Sequence, residues 1–324
     1  MNNKNCAICG SQELRRINYK NTWSDLFKNK FILVCDKCGF GCIDPKIDAN
    51  AILDFYKDVY RGKGSPHYVD FSKQKPSKAF NRARSISQLL LGAQYLEHKS
   101  KYNFLDIGSG LGKSFISANE ILHGNVNLYT IEQDKNAKIY YQHYFKSLVI
   151  LDDFSELDDD MDIILMSHSL EHFDIKDMRG LFLQVHQVLA ENGIMIIEVP
   201  HADFRDKNYE DNRPKDVPHL SFFSLESLRM LVESFDFELC FIDTAGVLIN
   251  DMLFSESIVK KKGFKSMLKE IFKKMGIYGC LAKLKSNIFL KSSSISKRDE
   301  FYKDENFQYK GDRAVLRCVL RKKI

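Results

Sequence analysis

The chain has 324 residues, 44% hydrophobic and 28% charged, with a net charge of +5. That composition suits a globular chain with room for one large domain or two, and it excludes a disordered or fibrous protein. No apolar run reaches the ~18 residues of a membrane span, and the first residues lack the apolar stretch of a secretory signal, so a cytoplasmic protein is expected.

Residues 1–45 hold Cys6, Cys9, Cys35, Cys38 and Cys42. Cys6-Ala-Ile-Cys9-Gly and Cys35-Asp-Lys-Cys38-Gly are two C-x-x-C-G knuckles. Each offers two sulfurs to one tetrahedral ion, and the glycine permits the turn. A small zinc ribbon is expected, with structural Zn2+ on Cys6, Cys9, Cys35 and Cys38; so short a segment has too small a core to fold without the ion. Cys42 is a spare thiol near the knuckles, and Cys240, Cys280 and Cys318 read as structural thiols.

Residues 46–100 read as a helical bridge. Ala51, Ile52, Phe55, Tyr56, Val59 and Tyr60 recur at helical spacing, and a second helix is expected from about Ala79 to Glu97. From residue 103 onward strand and helix signals alternate, which predicts βαβ units and a parallel sheet. Strands are predicted at 103–107, 127–132, 147–151, 162–167 and 193–199, with 236–243 and 314–320 as a final pair. Asp174 caps a helix running to Ala190, Glu191-Asn192-Gly193 turns into the fifth strand, and Ser224 caps a helix to about Ser234.

The most informative stretch is Phe104-Leu105-Asp106-Ile107 followed by Gly108-Ser109-Gly110-Leu111-Gly112. It predicts a buried strand, a tight turn and a helix N-terminus, where backbone can approach a ligand closely. Lys113 breaks a G-x-G-x-x-G fingerprint, and the spacing from Gly108 to Gly112 is one residue short of a P-loop. Glu132 ends the second strand with a carboxylate suited to two ribose hydroxyls.

Asp106 with Gly108, Gly110 and Gly112 resembles motif I of the class I S-adenosylmethionine (SAM) methyltransferases. The fold this implies is α/β, a Rossmann-like seven-stranded sheet over residues 101–324 with a basic helical insert at about 250–311. The resemblance implies SAM as cofactor, held by Asp106, Gly108, Ser109, Gly110, Gly112 and Glu132, with Asp153, Phe154 and Ser167 as further contacts. The knuckles, Asp44-Pro45, Phe55-Tyr56 and Tyr60 resemble the N-terminal region of zinc-containing sugar methyltransferases. Residues 161–200, with Leu170-Glu171-His172, resemble the Leu-Glu-His subgroup of small-molecule O- and C-methyltransferases. Val217-Pro218-His219-Leu220 is similar to the segment that closes the acceptor pocket there.

Methyl transfer is an in-line displacement at an activated carbon, so the enzyme mainly aligns two reactants in a dry pocket. A sugar hydroxyl also benefits from a general base, and neutral histidine suits that role. The expected catalytic set is His172 as base, His219 as the second choice, Glu171 to orient or polarise its neighbour, and His168. His168-x-x-Glu171-His172 with His219 is also similar to the Glu-x-x-Glu-His…His magnesium site of small-RNA 2′-O-methyltransferases. That implies, as an alternative, a second, catalytic divalent metal, and histidine in place of the first glutamate favours a transition ion.

The expected acceptor is a sugar or nucleotide-sugar for surface polysaccharide, with O-transfer ahead of C-transfer. The rivals are a zinc-ribbon RNA methyltransferase and a catalytically inactive SAM-binding subunit. Against RNA-base transfer, Ser167-His168-Ser169-Leu170 stands where an Asn/Asp-Pro-Pro-aromatic motif is expected, and no cysteine lies between Cys42 and Cys240. Val259 to Arg298 carries twelve Lys/Arg against the single acid Glu270. There Phe264, Met267, Leu268, Ile271, Phe272 and Met275 mark an amphipathic helix, read first as a lid or dimer contact, then as a peripheral membrane contact through 259–291, which would place the protein at the inner membrane surface. Contact with nucleic acid is the least favoured reading.

Overall fold

A computed structural model describes residues 5–20, 23–74, 83–212, 217–245 and 315–323. The basic insert, its expected helix and Cys280 lie outside these residues. Strands β1 (Leu14–Asn18), β2 (Phe31–Cys35) and β3 (Gly41–Asp44) form an antiparallel meander, with Leu14 opposite Cys35 and Phe31 opposite Asp44. The second knuckle makes the β2–β3 turn, where Gly39 has φ +74° and a Cβ would stand 2.9 Å from Ser224. Helix α1 (Ala49–Asp54) is capped by Asp48, whose carboxylate accepts from the N–H groups of Asn50 and Ala51, and it runs on into a π-helical turn at Phe55–Val59.

Helix α2 (Ala83–Ala93) stops short of the expected Glu97. A Cβ at Gly92 would press on the side-chain ends of Ile196 and Ile194 at 2.4 and 2.8 Å, and the Tyr95 N–H turns back to the Gly92 carbonyl at 2.9 Å. Residues 79–82 of that expected helix lie outside the described set.

The main sheet then builds by βαβ repetition: β4 (Tyr102–Ile107), α3 (Lys113–Ile121), β5 (Val126–Ile131), α4 (Lys135–Tyr144), β6 (Leu148–Leu151), β7 (Met161–Ser167), α5 (Ile175–Val188) and β8 (Leu189–Pro200). After α6 (Lys207–Asn212), β9 (Ser221–Phe222) and α7 (Leu225–Glu233), strands β10 (Phe237–Ala245) and β11 (Val315–Lys322) complete it. The order is β10-β11-β8-β7-β4-β5-β6, and β11 is antiparallel to both of its neighbours. This is the α/β methyltransferase fold. The central strands are nearly continuous apolar runs because helices cover both faces; Met161 through Met166 are all buried.

Asp174 and Ser224 cap α5 and α7 as the sequence predicts, and Ser227 completes a capping box with Ser224. The turn expected at Glu191–Gly193 is instead a bulge inside β8: Met161 pairs with Leu189, yet Ile163 already pairs with Ile194. No described helix is long and apolar enough to cross a membrane.

Strand β9 leaves the main domain and joins the small sheet, pairing Gly41 with Phe222 and Cys42 with Ser221. The small sheet therefore runs β1-β2-β3-β9. At this seam the buried rings of Phe40 and Phe223 stand 5.7 Å apart. Phe223→Ala is expected to lower the unfolding free energy by about 3–5 kcal/mol in urea titration, because the cavity opens between two sheets that cannot both collapse into it.

Candidate active site

Strand β4 delivers Asp106 to the glycine turn. Gly108 has φ +77°, and a Cβ there would meet the Ser169 hydroxyl at 2.5 Å. Gly110, at φ +60°, donates its N–H to Glu132 Oε2 at 3.1 Å. Glu132 Oε1 accepts from the N–H groups of Gln133 and Asp134, which fixes the carboxylate while leaving lone pairs for hydroxyl donors. Gly112 caps α3, and the Ser109 hydroxyl lies 2.8 Å from that of Thr130.

Asp106 Oδ2 accepts from the Ser114 hydroxyl, whereas Oδ1 is buried with no partner among the described residues. Burial pushes the Asp106 carboxyl up to about 7, offset in part by Ser114 and reinforced by Glu132. Asp106, Ser109 and Ser167 line a cavity of about 430 Å³; Glu132, Asp153 and Phe154 line one of about 650 Å³, and Gly108 borders both. These residues fit SAM: an unmatched carboxylate oxygen for its ammonium, a fixed acid for its ribose, and a ring with a neighbouring carboxylate for its adenine.

The second cluster follows β7. His168 adopts the left-handed conformation, φ +57°, with Nε2 3.2 Å from Glu198 Oε1 and Nδ1 3.4 Å from Glu171 Oε1. Burial disfavours its charge, but the two carboxylates outweigh burial and raise its pKa to about 9, so it is an imidazolium at neutral pH. Glu171 is 1% exposed and neither of its oxygens has a hydrogen-bond partner among the described residues. Burial opposes its charge too, yet His168 chiefly holds it below the ordinary carboxylate range.

The Tyr56 hydroxyl lies 2.6 Å from His172 Nδ1 and donates to the Pro218 carbonyl at 2.5 Å. A carbonyl only accepts, so Nδ1 carries the hydrogen and Nε2 keeps its lone pair. Burial keeps His172 below its usual pKa and takes His219 down to about 3, so both imidazoles are neutral. His172 faces the larger cleft, but His219 does not. It lies behind, in a hollow of about 40 Å³ with Glu171 and Tyr19. Ligating atoms of Glu171, His172 and His219 fall within 4.8 Å of one another, and His168 stands outside that trio.

In the small sheet the Cys6 and Cys38 sulfurs are 3.7 Å apart, and those of Cys9 and Cys35 are 3.5 Å apart. Four sulfurs at the usual zinc distance around a tetrahedral ion stand about 3.8 Å from one another. The four thiols thus fit one Zn2+.

A family profile described as "Methyltransferase domain" matches residues 77–240, half of the chain. The chain belongs to this family. It is a SAM-dependent methyltransferase. No curated protein sequence matches it. Solved structures similar to this methyltransferase include the plantazolicin methyltransferase BpumL, at 15% identity and TM-score 0.47 over 76% of this chain and 87% of that one. Coclaurine N-methyltransferase is similar at 14% identity and TM-score 0.44 over 86% and 80%. The cyclopropane synthase MmaA2 of Mycobacterium tuberculosis is similar at 14% identity and TM-score 0.44 over 73% and 84%.

Three charged residues of this methyltransferase escaped the sequence reading. Glu198 on β8 is fully buried, ion-paired with Arg317 on β11 and 3.3 Å from Arg84 on α2. The signal was present: each of Glu198 and Arg317 interrupts an apolar strand, and the register sets them opposite each other. Tyr56 read as a helix-face aromatic and as part of the N-terminal resemblance, with no role assigned beside His172, yet it selects the His172 tautomer.

Because Asp106 is neutral below about pH 7 and ionised above it, the methyltransferase is expected to bind SAM more tightly as pH rises from 6 to 8. Asp106→Asn should flatten that dependence in calorimetric titrations, and an unaltered slope would remove Asp106 from ammonium recognition.

Proposed function

We propose that this methyltransferase transfers the methyl group of SAM to a hydroxyl of a sugar or nucleotide-sugar, with His172 as the general base. The observation that carries the reading is the fixed His172 tautomer, which leaves the lone pair on Nε2 of a ring that lines the cleft also holding Glu132 and Gly108. Bound SAM supplies the activated methyl carbon. Asp106 and Glu132 orient it, and the acceptor hydroxyl meets His172 Nε2. As the proton arrives there, the Glu171 carboxylate stabilises the imidazolium, and His168 keeps that carboxylate ionised. Tyr56 and Tyr60 wall the site against water. For a C-acceptor the same base would remove a proton beside a ketone.

The cleft lining weighs against the RNA rival. Glu132, Asp134, Asp152, Asp153 and Asp177 face it against the cations Arg61, Lys176 and His168, an excess of acid that disfavours a polyanion. Sugar recognition is supported by the knuckles and by the Leu-Glu-His segment. The cytoplasm, with a contact at the inner membrane surface through 259–291, is the setting that suits such an acceptor.

One observation favours a second reading. The partnerless oxygens of Glu171, with His172 and His219 within 4.8 Å, suit a divalent transition ion. Such an ion would acidify the acceptor hydroxyl in place of the histidine base. Zinc-loaded protein that becomes active only on addition of Mn2+ would select this alternative.

Tritium from labelled SAM, added with the enzyme to cell extract, is expected in nucleotide-sugar or polysaccharide fractions and to resist ribonuclease. Label released by ribonuclease would contradict the sugar reading. His172→Asn is expected to lower kcat by ~10²–10⁴ with SAM affinity unchanged.

A further inference from the structure

The four-cysteine region and the acceptor side of the active site share one short strand. The second knuckle closes the β2–β3 turn, and β3 pairs directly with β9. The Ile43 N–H bonds the Leu220 carbonyl at 3.0 Å, and the Leu220 N–H bonds the Glu171 carbonyl at 2.9 Å. The Tyr19 hydroxyl on the same small sheet contacts the His219 carbonyl at 3.1 Å and the Val217 carbonyl. The knuckle's own carbonyls are tied to the main domain, with Cys38 accepting from the Ser224 hydroxyl at 2.6 Å and Lys37 from Arg205 at 2.9 Å. By contrast, Asp106 lies on β4, and Gly108 and Glu132 follow the ends of β4 and β5, strands that pair within the main sheet and not with β3 or β9.

We propose that the metal held by Cys6, Cys9, Cys35 and Cys38 is a positioning element of the acceptor site, setting His219 and Glu171 through the β3–β9 pairing while leaving the SAM site independent. The physical ground is that a three-stranded meander this small has little core of its own, so the ion fixes the β2–β3 turn, and that turn fixes the edge on which β9 lies. Neither β4 nor β5, which carry the cofactor residues, pairs with that edge. The knuckles thus act on methyl transfer from outside the reacting atoms. The inference rests on the acceptor-site reading above only in where it places the acceptor; the strand coupling itself needs no acceptor.

The test compares the full-length, reduced, zinc-loaded protein with the same protein after chelation, by amide hydrogen exchange and by calorimetric titration with SAM. Metal removal is expected to speed exchange at Leu220 and Phe222 about tenfold or more. The β4 and β5 amides should keep their protection, and the SAM Kd should change by less than about threefold, a shift under 1 kcal/mol. Adding Zn2+ back should restore protection. Unchanged exchange at Leu220 and Phe222, or loss of SAM binding in step with it, would overturn the proposal. Tyr19→Phe, which keeps all four thiols, should raise exchange at His219 and Leu220 by a smaller factor with zinc content unchanged. No change there would mean that the main sheet alone holds the strand, and would also overturn it. Because neither readout involves an acceptor, a failed sugar assignment leaves this result intact.

Discussion

A carboxylate buried with no hydrogen-bond partner among the described residues is the constraint around which the proposed acceptor half of this protein is built. An isolated charge in a protein interior costs several kcal/mol, so Glu171 requires compensation nearby. His168 provides it, and His168 needs Glu198 in turn, which is held by Arg317 and Arg84. The chain of alternating charges runs from the antiparallel last strand to Glu171, beside His172. It accounts for the left-handed backbone of His168, which turns one ring between two carboxylates, and for the charged pair Glu198 and Arg317 inside otherwise apolar strands.

The two halves of the site are made in different ways. The cofactor half is local: a strand, a glycine turn and the next strand bring Asp106 and Glu132 together through neighbouring parallel pairs. The acceptor half is assembled from distant segments. Tyr56 comes from the π-helical turn, Glu171 and His172 from the end of β7, and His219 from the approach to β9. That division makes cofactor binding robust and leaves acceptor chemistry dependent on long-range packing.

The same division explains what could be read in the sequence. The seven strands were legible because buried parallel strands are apolar runs with clear punctuation, and Asp174 and Ser224 announced their helices by cap chemistry alone. The glycine turn was legible because backbone geometry at Gly108 and Gly110 admits little else. The bulge at Glu191–Gly193 was not, since turn residues look alike whether they end a strand or swell out of it. The early end of α2 was hidden too, since the apolar residues Tyr95 and Leu96 continue the pattern beyond Ala93. His168, His172 and His219 were all expected in catalysis, but the structure gives them three different settings. One is an ion-paired cation, one faces the cleft, and one lies behind it. The capture of β9 by the small sheet leaves no trace in periodicity, because two residues carry no period.

The most direct measurement is a crystal structure of the full chain with S-adenosylhomocysteine. The ribose is expected on Glu132, the amino group on Asp106 Oδ1, the adenine beside Asp153 and Phe154, and the sulfur turned toward the His172 side of the cleft. A ligand bound elsewhere, or one whose sulfur is screened from His172, would contradict this placement.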